Sequence, residues 1–189
     1  MKAMKERTAE AGELLHAMIA PRVYEGDWSH GERIDKTRAL VAKTNAGTII
    51  ELGCGTADIC GHFADNAAVW GYDCNEKALV LAMERYPSLE VGLGIPEPRK
   101  CDCLILCEYL EHIPNPIEVI QAWLPLAKFS VISHPLDEEL DSNLSAGEHQ
   151  WSFDMEDFER WFTLGGHKLV EMEVFDMPHK CILGLGERI

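Results

Sequence analysis

The run "EYLEHIP" sets Glu108, Glu111 and His112 at spacings i, i+3 and i+4. On a helical turn those three side chains share one face. Two carboxylates and an imidazole there suit a divalent ion, the oxygens favouring Mg2+ or Mn2+ and the nitrogen adding a preference for a transition metal. His149, in "GEHQWSF", is placed to supply a fourth ligand, and His134, in "ISHP", is the other candidate. Without an ion the same stretch fits a second chemistry. His112, His134 or His149 then serves as a general base, because imidazole is the side chain whose unperturbed pKa lies near neutrality.

A second constellation lies earlier. In "IIELGCGTAD" a carboxylate, Glu51, stands two residues before Gly53, and Gly55 follows. A glycine turn after a strand lets a nucleotide-like ligand lie against bare backbone. A turn built for pyrophosphate is open to anions, whereas this one carries Glu51, and the GxGxxG spacing fails because position 58 is Asp. Asp73, in "WGYDCN", ends the next apolar run, the position from which a carboxylate accepts both ribose hydroxyls. Asp there is also a common helix N-cap. Taken together, Gly53, Gly55 and Asp73 point to adenosine, and Glu51 with Asp58 to a tail that is not phosphate. S-adenosylmethionine, with its adenosine, ammonium and sulfonium, meets both requirements.

These residues need a scaffold, and from Thr48 onward short apolar runs alternate with helical stretches, the pattern of a largely parallel α/β sheet. Strands are expected at "TIIEL", "AVWGYD", "LEVGLG", "DCLILC" and "KFSVIS", with "KLVEMEVF" and "KCILGLGERI" as a closing antiparallel pair. Helices are expected after the glycine turn, at "NEKALVLAMERY", at "PIEVIQAWLPLA" and at "MEDFERWFTLGG", the last two-glycine step serving as its stop. Residues 1–47 read as a helical cap with "RIDKTRALVAK" as its second helix, and 48–189 as the core of a single domain. The stretch 135–148 exceeds ordinary loop lengths.

In that order, "IIELGCGTAD", "GYDCN" and "CDCLILCEYLEHIPNP" resemble the successive motifs of class I S-adenosylmethionine-dependent methyltransferases, a resemblance covering residues 48–189. It implies a Rossmann-like, seven-stranded, mostly parallel sheet with the last strand antiparallel beside the fifth. It also implies that Glu51, Gly53, Cys54 and Gly55 line the methionine moiety, that Asp73 and Cys74 flank the ribose, and that Glu108 and Tyr109 lie near the sulfonium. Two departures stand out. Ala57 replaces a common third glycine, and "GLGIPEP" replaces the acidic contact to adenine after the third strand. Glu108-x-x-Glu111-His112 with the later His149 resembles metal-dependent small-RNA 2′-O-methyltransferases, while "LEHIP" is similar to ubiquinone-biosynthesis-type O-methyltransferases. Tyr24 and Trp28 fall where similar enzymes fold a lid over the cofactor, and core packing is the other reading of those rings.

Composition narrows the choice. Hydrophobic residues at 47% and charged residues at 26% fit an ordinary globular chain. No apolar run reaches the roughly 18 residues of a spanning helix, and the N-terminus lacks a signal-peptide core, so an intracellular, cytoplasmic protein without membrane contact is expected. Seven cysteines then read as reduced, mostly buried thiols, and no second CxxC completes a zinc site. A net charge of −15 argues against a broad nucleic-acid footprint. His30, His62, His167 and His179 are expected at the surface, and the acidic run Asp137, Glu138, Glu139 and Asp141 on a solvated face. The leading expectation is methylation of a small molecule at oxygen. A metal-assisted RNA 2′-O-methyltransferase and a non-catalytic S-adenosylmethionine-binding module remain as alternatives.

Overall fold

In the computed structural model the described residues are 31–137, 149–176 and 180–189. Tyr24, Trp28, His30, Glu138, Glu139, Asp141 and His179 lie outside them. The elements are α1 (Gly31–Lys43), β1 (Thr48–Leu52), β2 (Ala68–Asp73), α2 (Glu76–Arg85), β3 (Glu90–Leu93), β4 (Cys101–Cys107), α3 (Pro116–Trp123), β5 (Ala127–Pro135), α4 (Met155–Leu164), β6 (His167–Asp176) and β7 (Lys180–Arg188). Among the described residues no helix is long and apolar enough to cross a membrane.

The seven strands form one sheet in the order β3-β2-β1-β4-β5-β7-β6. Pairs from β3 to β5 are parallel, and β7 runs antiparallel to both neighbours. This is the Rossmann-like architecture expected. The strand order reverses at β1 and β4, so the carboxyl ends of those strands form the crevice in which α/β sheets bind ligands.

Burial explains why the central strands read as almost unbroken apolar runs. Parallel strands covered by helices on both faces have no polar side. Alternate residues of β1 and β4 feed two cores. Ile49, Cys103 and Ile105 pack with Leu40 and Val41 of α1 and Leu79 of α2. Ile50, Leu104 and Leu106 pack with Trp123 of α3 and Phe158, Trp161 and Phe162 of α4. Six of the seven cysteines are buried free thiols, and Cys74 is exposed.

The structure departs from expectation in two places. Between β1 and β2 the expected helix is a 3-10 turn, Cys60–Phe63, packed so closely on Tyr86 that a Cβ on Gly61 would lie 2.3 Å from its ring. From β3 to β4, where no helix is expected, the crossover is residues 94–100 alone. Arg99 takes up that face, its guanidinium 4.4 Å over the Trp70 ring and donating to the Tyr72 hydroxyl at 2.8 Å. His167 is not at the surface. It is 2% exposed, and its ring nitrogens contact Ser130 Oγ at 2.9 Å and the Leu124 carbonyl at 2.8 Å, which makes it a satisfied core residue.

Candidate functional site

At the end of β1 the chain turns back through Gly53, whose φ is +73°. A Cβ there would lie 2.6 Å from Cδ2 of Tyr109, so glycine is required by both backbone and space. Gly53 and Cys54 donate to the Tyr72 carbonyl at 2.8 and 3.0 Å, which fixes the turn to the end of β2. Gly55 and Ala57 also have positive φ, +53° and +58°, so the residue replacing the third glycine adopts a glycine conformation.

Asp73 faces this turn. Its Oδ2 accepts from Gly55 N and its Oδ1 from Asn75 N, both at 2.8 Å. The cap of α2 is Asn75, which accepts from Lys77 N and Ala78 N. Asp73 is thus not consumed as the N-cap, and each oxygen keeps accepting capacity for a ligand hydroxyl. Tyr109 closes the other side. Its hydroxyl is buried without a partner, and burial first, then the neighbouring Asp73 carboxylate, push its pKa up.

The acidic residues divide by role. Glu51 is 2% exposed and accepts from Cys60 N at 3.0 Å. Burial pushes its carboxyl up to about 7, against the opposing pull of that hydrogen bond and of Arg33. Asp58 is paired with Arg85 and accepts from Thr56, while Arg38 Nε donates to its carbonyl at 2.9 Å.

At the end of β4 the backbone of Glu108 has a φ of +49°, an uncommon conformation for a residue with a side chain. The 3-10 turn Leu110–His112 follows in place of an α-helical turn. Glu111, His112 and His149 converge, with one ligand atom from each lying within 4.8 Å of the others. Glu111 is 1% exposed, and neither carboxylate oxygen has a hydrogen-bond partner. His112 Nε2 stands 4.0 Å from Glu111 Oε1, and the His112 and His149 rings meet edge to face at 4.7 Å.

Two candidates fall outside this trio. Glu108 is turned to β5, where its Oε1 accepts from Ser133 Oγ at 3.0 Å. His134 has no exposed surface. Its Nδ1 donates to the Pro135 carbonyl at 2.8 Å, and its ring sits 5.0 and 5.4 Å from Phe153 and Phe158. Burial lowers its pKa. A base must reach the acceptor; His134 is fully buried with its Nε2 unpartnered, whereas His112 and His149 are half-buried and offer an accessible edge.

The carboxylates split in charge. Burial raises Glu108, but Arg33 and the Ser133 hydroxyl outweigh it and leave the group below its ordinary value. Burial first, and then the Glu108 charge, push Glu111 up to about 8. At neutral pH one carboxylate is ionised and its neighbour protonated, as expected where two acids share a site.

Sequence reasoning missed Arg33. On the first turn of α1, its charge is felt by Glu51, Glu108 and Glu111, and its Nε is buried without a partner. No motif marks it; the only signal is a cation on the first turn of a helix that packs against the central strands and begins near the carboxyl end of β4. Gln150 and Trp151, which follow His149, bind the turn that carries Glu111 and His112. Gln150 N donates to the Glu111 carbonyl and its Nε2 to the His112 carbonyl, both at 2.7 Å, and Trp151 Nε1 donates to the Ile113 carbonyl at 2.8 Å.

A family model described as a methyltransferase domain matches residues 27–172. Among curated proteins, a ubiquinone biosynthesis O-methyltransferase of Nitrosomonas europaea is 30% identical over 109 residues, 51% of this chain and 46% of that protein. One of Serratia proteamaculans is 28% identical over 122 residues, 55% of this chain and 50% of that protein. The chain thus spans about half the length of these curated relatives. Among solved structures, magnesium protoporphyrin IX methyltransferase from Synechocystis PCC 6803 with bound SAM superposes with a TM-score of 0.76 at 15% identity, covering 98% of this chain and 100% of that one. The methyltransferase domain of bacterial CtHen1-C gives 0.66 at 16% identity, covering 82% and 96%. At these identities the likeness is one of fold.

Proposed function

The chain belongs to the methyltransferase-domain family, and from that premise we propose that it transfers the methyl group of S-adenosylmethionine to a hydroxyl oxygen of a small molecule. The observation that carries this reading is Asp73, held by Gly55 N and Asn75 N with capacity left for two ribose hydroxyls. The rest of the crevice fits the same ligand. Arg33 suits the methionine carboxylate, and the ionised Glu108 suits the ammonium. The Tyr109 hydroxyl is buried without a hydrogen-bond partner beside the glycine turn. A pyrophosphate would meet the charge of Glu108.

When bound, S-adenosylmethionine supplies a methyl carbon already activated by its sulfonium. The protein's task is then to orient the acceptor oxygen in line with the carbon–sulfur bond and to take its proton. With it bound, the acceptor oxygen would bond to the methyl carbon as the carbon–sulfur bond broke, and the half-buried imidazole of His112 or His149 would take the acceptor's proton. The names of the curated relatives favour a small-molecule acceptor, and the charge of −15 counts against RNA. A binding module without activity would have no use for a buried, unpartnered carboxyl beside two imidazoles.

One observation supports a metal-assisted version of the same transfer. Both oxygens of Glu111 are buried without partners, and His112 and His149 stand at ligand spacing. Mg2+ or Mn2+ held there would lower the pKa of the acceptor hydroxyl. Tritiated S-adenosylmethionine offered with a panel of phenols and with short RNA tests the assignment. Label in an ether product is expected, and label in RNA alone would move the assignment to the RNA branch.

A further inference from the structure

We propose that Gln150 and Trp151 are positioning residues that act through His149, fastening it over Glu111 and His112. The inference concerns the acceptor side of the transfer and rests on that reading only for its use, not for its geometry.

The fastening is regular. Three donors from residues 150 and 151 meet three consecutive carbonyls, those of Glu111, His112 and Ile113. These carbonyls need outside partners, because the 3-10 turn Leu110–His112 ends there and the last carbonyls of a helical turn have none within it. Gln150 uses its backbone and its carboxamide on adjacent residues, which fixes the segment in direction as well as position. His149 is the next residue back, so its ring is delivered to within 4.7 Å of His112.

A separate anchor holds the chain behind it. Asp137 N donates to the Phe153 carbonyl at 2.9 Å, and Leu136 bridges Phe153. Phe153 is buried in the core with Trp161 and Phe158, and Asp154 caps α4 through a capping box with Asp157. Removing the contacts of Gln150 and Trp151 therefore loosens the hold on residues 149–151 without detaching α4. The hydrogen bonds of both residues go to the turn after β4, whereas Asp73 is held by Gly55 N and Asn75 N.

The test is a nuclear Overhauser contact between the ring protons of His112 and His149, recorded in the apo protein. It needs neither cofactor nor acceptor, so a failure of the methyltransferase reading leaves it interpretable. Wild type is expected to show the contact. Q150A is expected to weaken it and Q150A/W151F to lose it, with the amide spectrum of the sheet and S-adenosylmethionine affinity by calorimetry retained. W151F alone keeps an aromatic ring but removes the indole donor together with the pyrrole ring that carries it, and a partial loss is expected there. A contact that persists in the double variant, or one absent from wild type, overturns the proposal.

Discussion

Ser133 grips Glu108 twice: its carbonyl accepts from Glu108 N and its hydroxyl donates to Glu108 Oε1, both at 3.0 Å. The two residues lie at the ends of adjacent strands, and the grip turns the Glu108 side chain toward β5 and away from the Glu111–His112–His149 trio. It also helps keep Glu108 ionised beside a protonated Glu111.

Replacing Ser133 by Ala removes a hydrogen bond to a charged group, typically about 1.5–3 kcal/mol. The Glu108 carboxyl is expected to titrate higher in the variant, followed by its side-chain carbon shift. A titration identical to wild type would show that Arg33 alone sets the charge.

Gly53→Ala places a Cβ 2.6 Å from Tyr109 Cδ2 at a φ of +73°. The left-handed conformation alone costs about 1–2 kcal/mol, and the clash adds to it. Chemical denaturation is expected to show a loss of at least that size, together with weaker S-adenosylmethionine binding. Shortening Tyr109 to Ala in the same chain removes the Cγ and Cδ2 atoms in the clash and should relieve the steric part only. A fully stable G53A single variant would mean the turn is laid out differently.

Glu51 gives stability a pH dependence whose sign is fixed. Its folded pKa is raised to about 7 from an ordinary 4.5, so the folded state binds the proton more tightly than the unfolded one. That contribution is fully present below the unfolded value and is lost as pH rises from 4.5 to about 7, at most about 3 kcal/mol. Denaturation midpoints at pH 5 and pH 8 are expected to lie closer together in Glu51→Gln, which mimics the protonated form. Equal separations in wild type and variant would refute the buried, raised carboxyl. Glu111 shifts in the same direction and accounts for what slope remains.

Protein dialysed against chelator is expected to gain thermal stability with Mn2+ or Mg2+, since an ion that binds only the folded state stabilises it by mass action. The gain should vanish in Glu111→Ala and in His149→Ala alike. A gain that survives both substitutions would place the ion elsewhere, and no gain with any divalent ion would leave the histidines as bases acting without metal.

The scaffold was legible because buried parallel strands leave a strong mark: "TIIEL" and "DCLILC" are mostly apolar, the glycine turn follows "TIIEL" at once, and Asp73 ends "AVWGYD". What escaped depends on distance in space. Glu108, Glu111 and His112 were grouped on an assumed helical turn, whereas a positive φ and Ser133 separate Glu108 from the others. The partnerships of His134 and His167 are formed with Phe153 and Ser130, and no local spacing announces them. Arg33 belongs to a helix remote in sequence, and its meaning comes only from the carboxylates at the end of β4 that it lies beside.

Titration calorimetry of the dialysed protein with S-adenosylmethionine, with NAD as the control and Asp73→Ala as the variant, bears most directly on the central claim. S-adenosylmethionine and its demethylated product are expected to bind and NAD not to. D73A is expected to weaken S-adenosylmethionine by about 1.5–3 kcal/mol, the worth of hydrogen bonds to a charged acceptor. Comparable affinity for NAD, or a dissociation constant unchanged in folded D73A, would contradict the assignment of this crevice to S-adenosylmethionine.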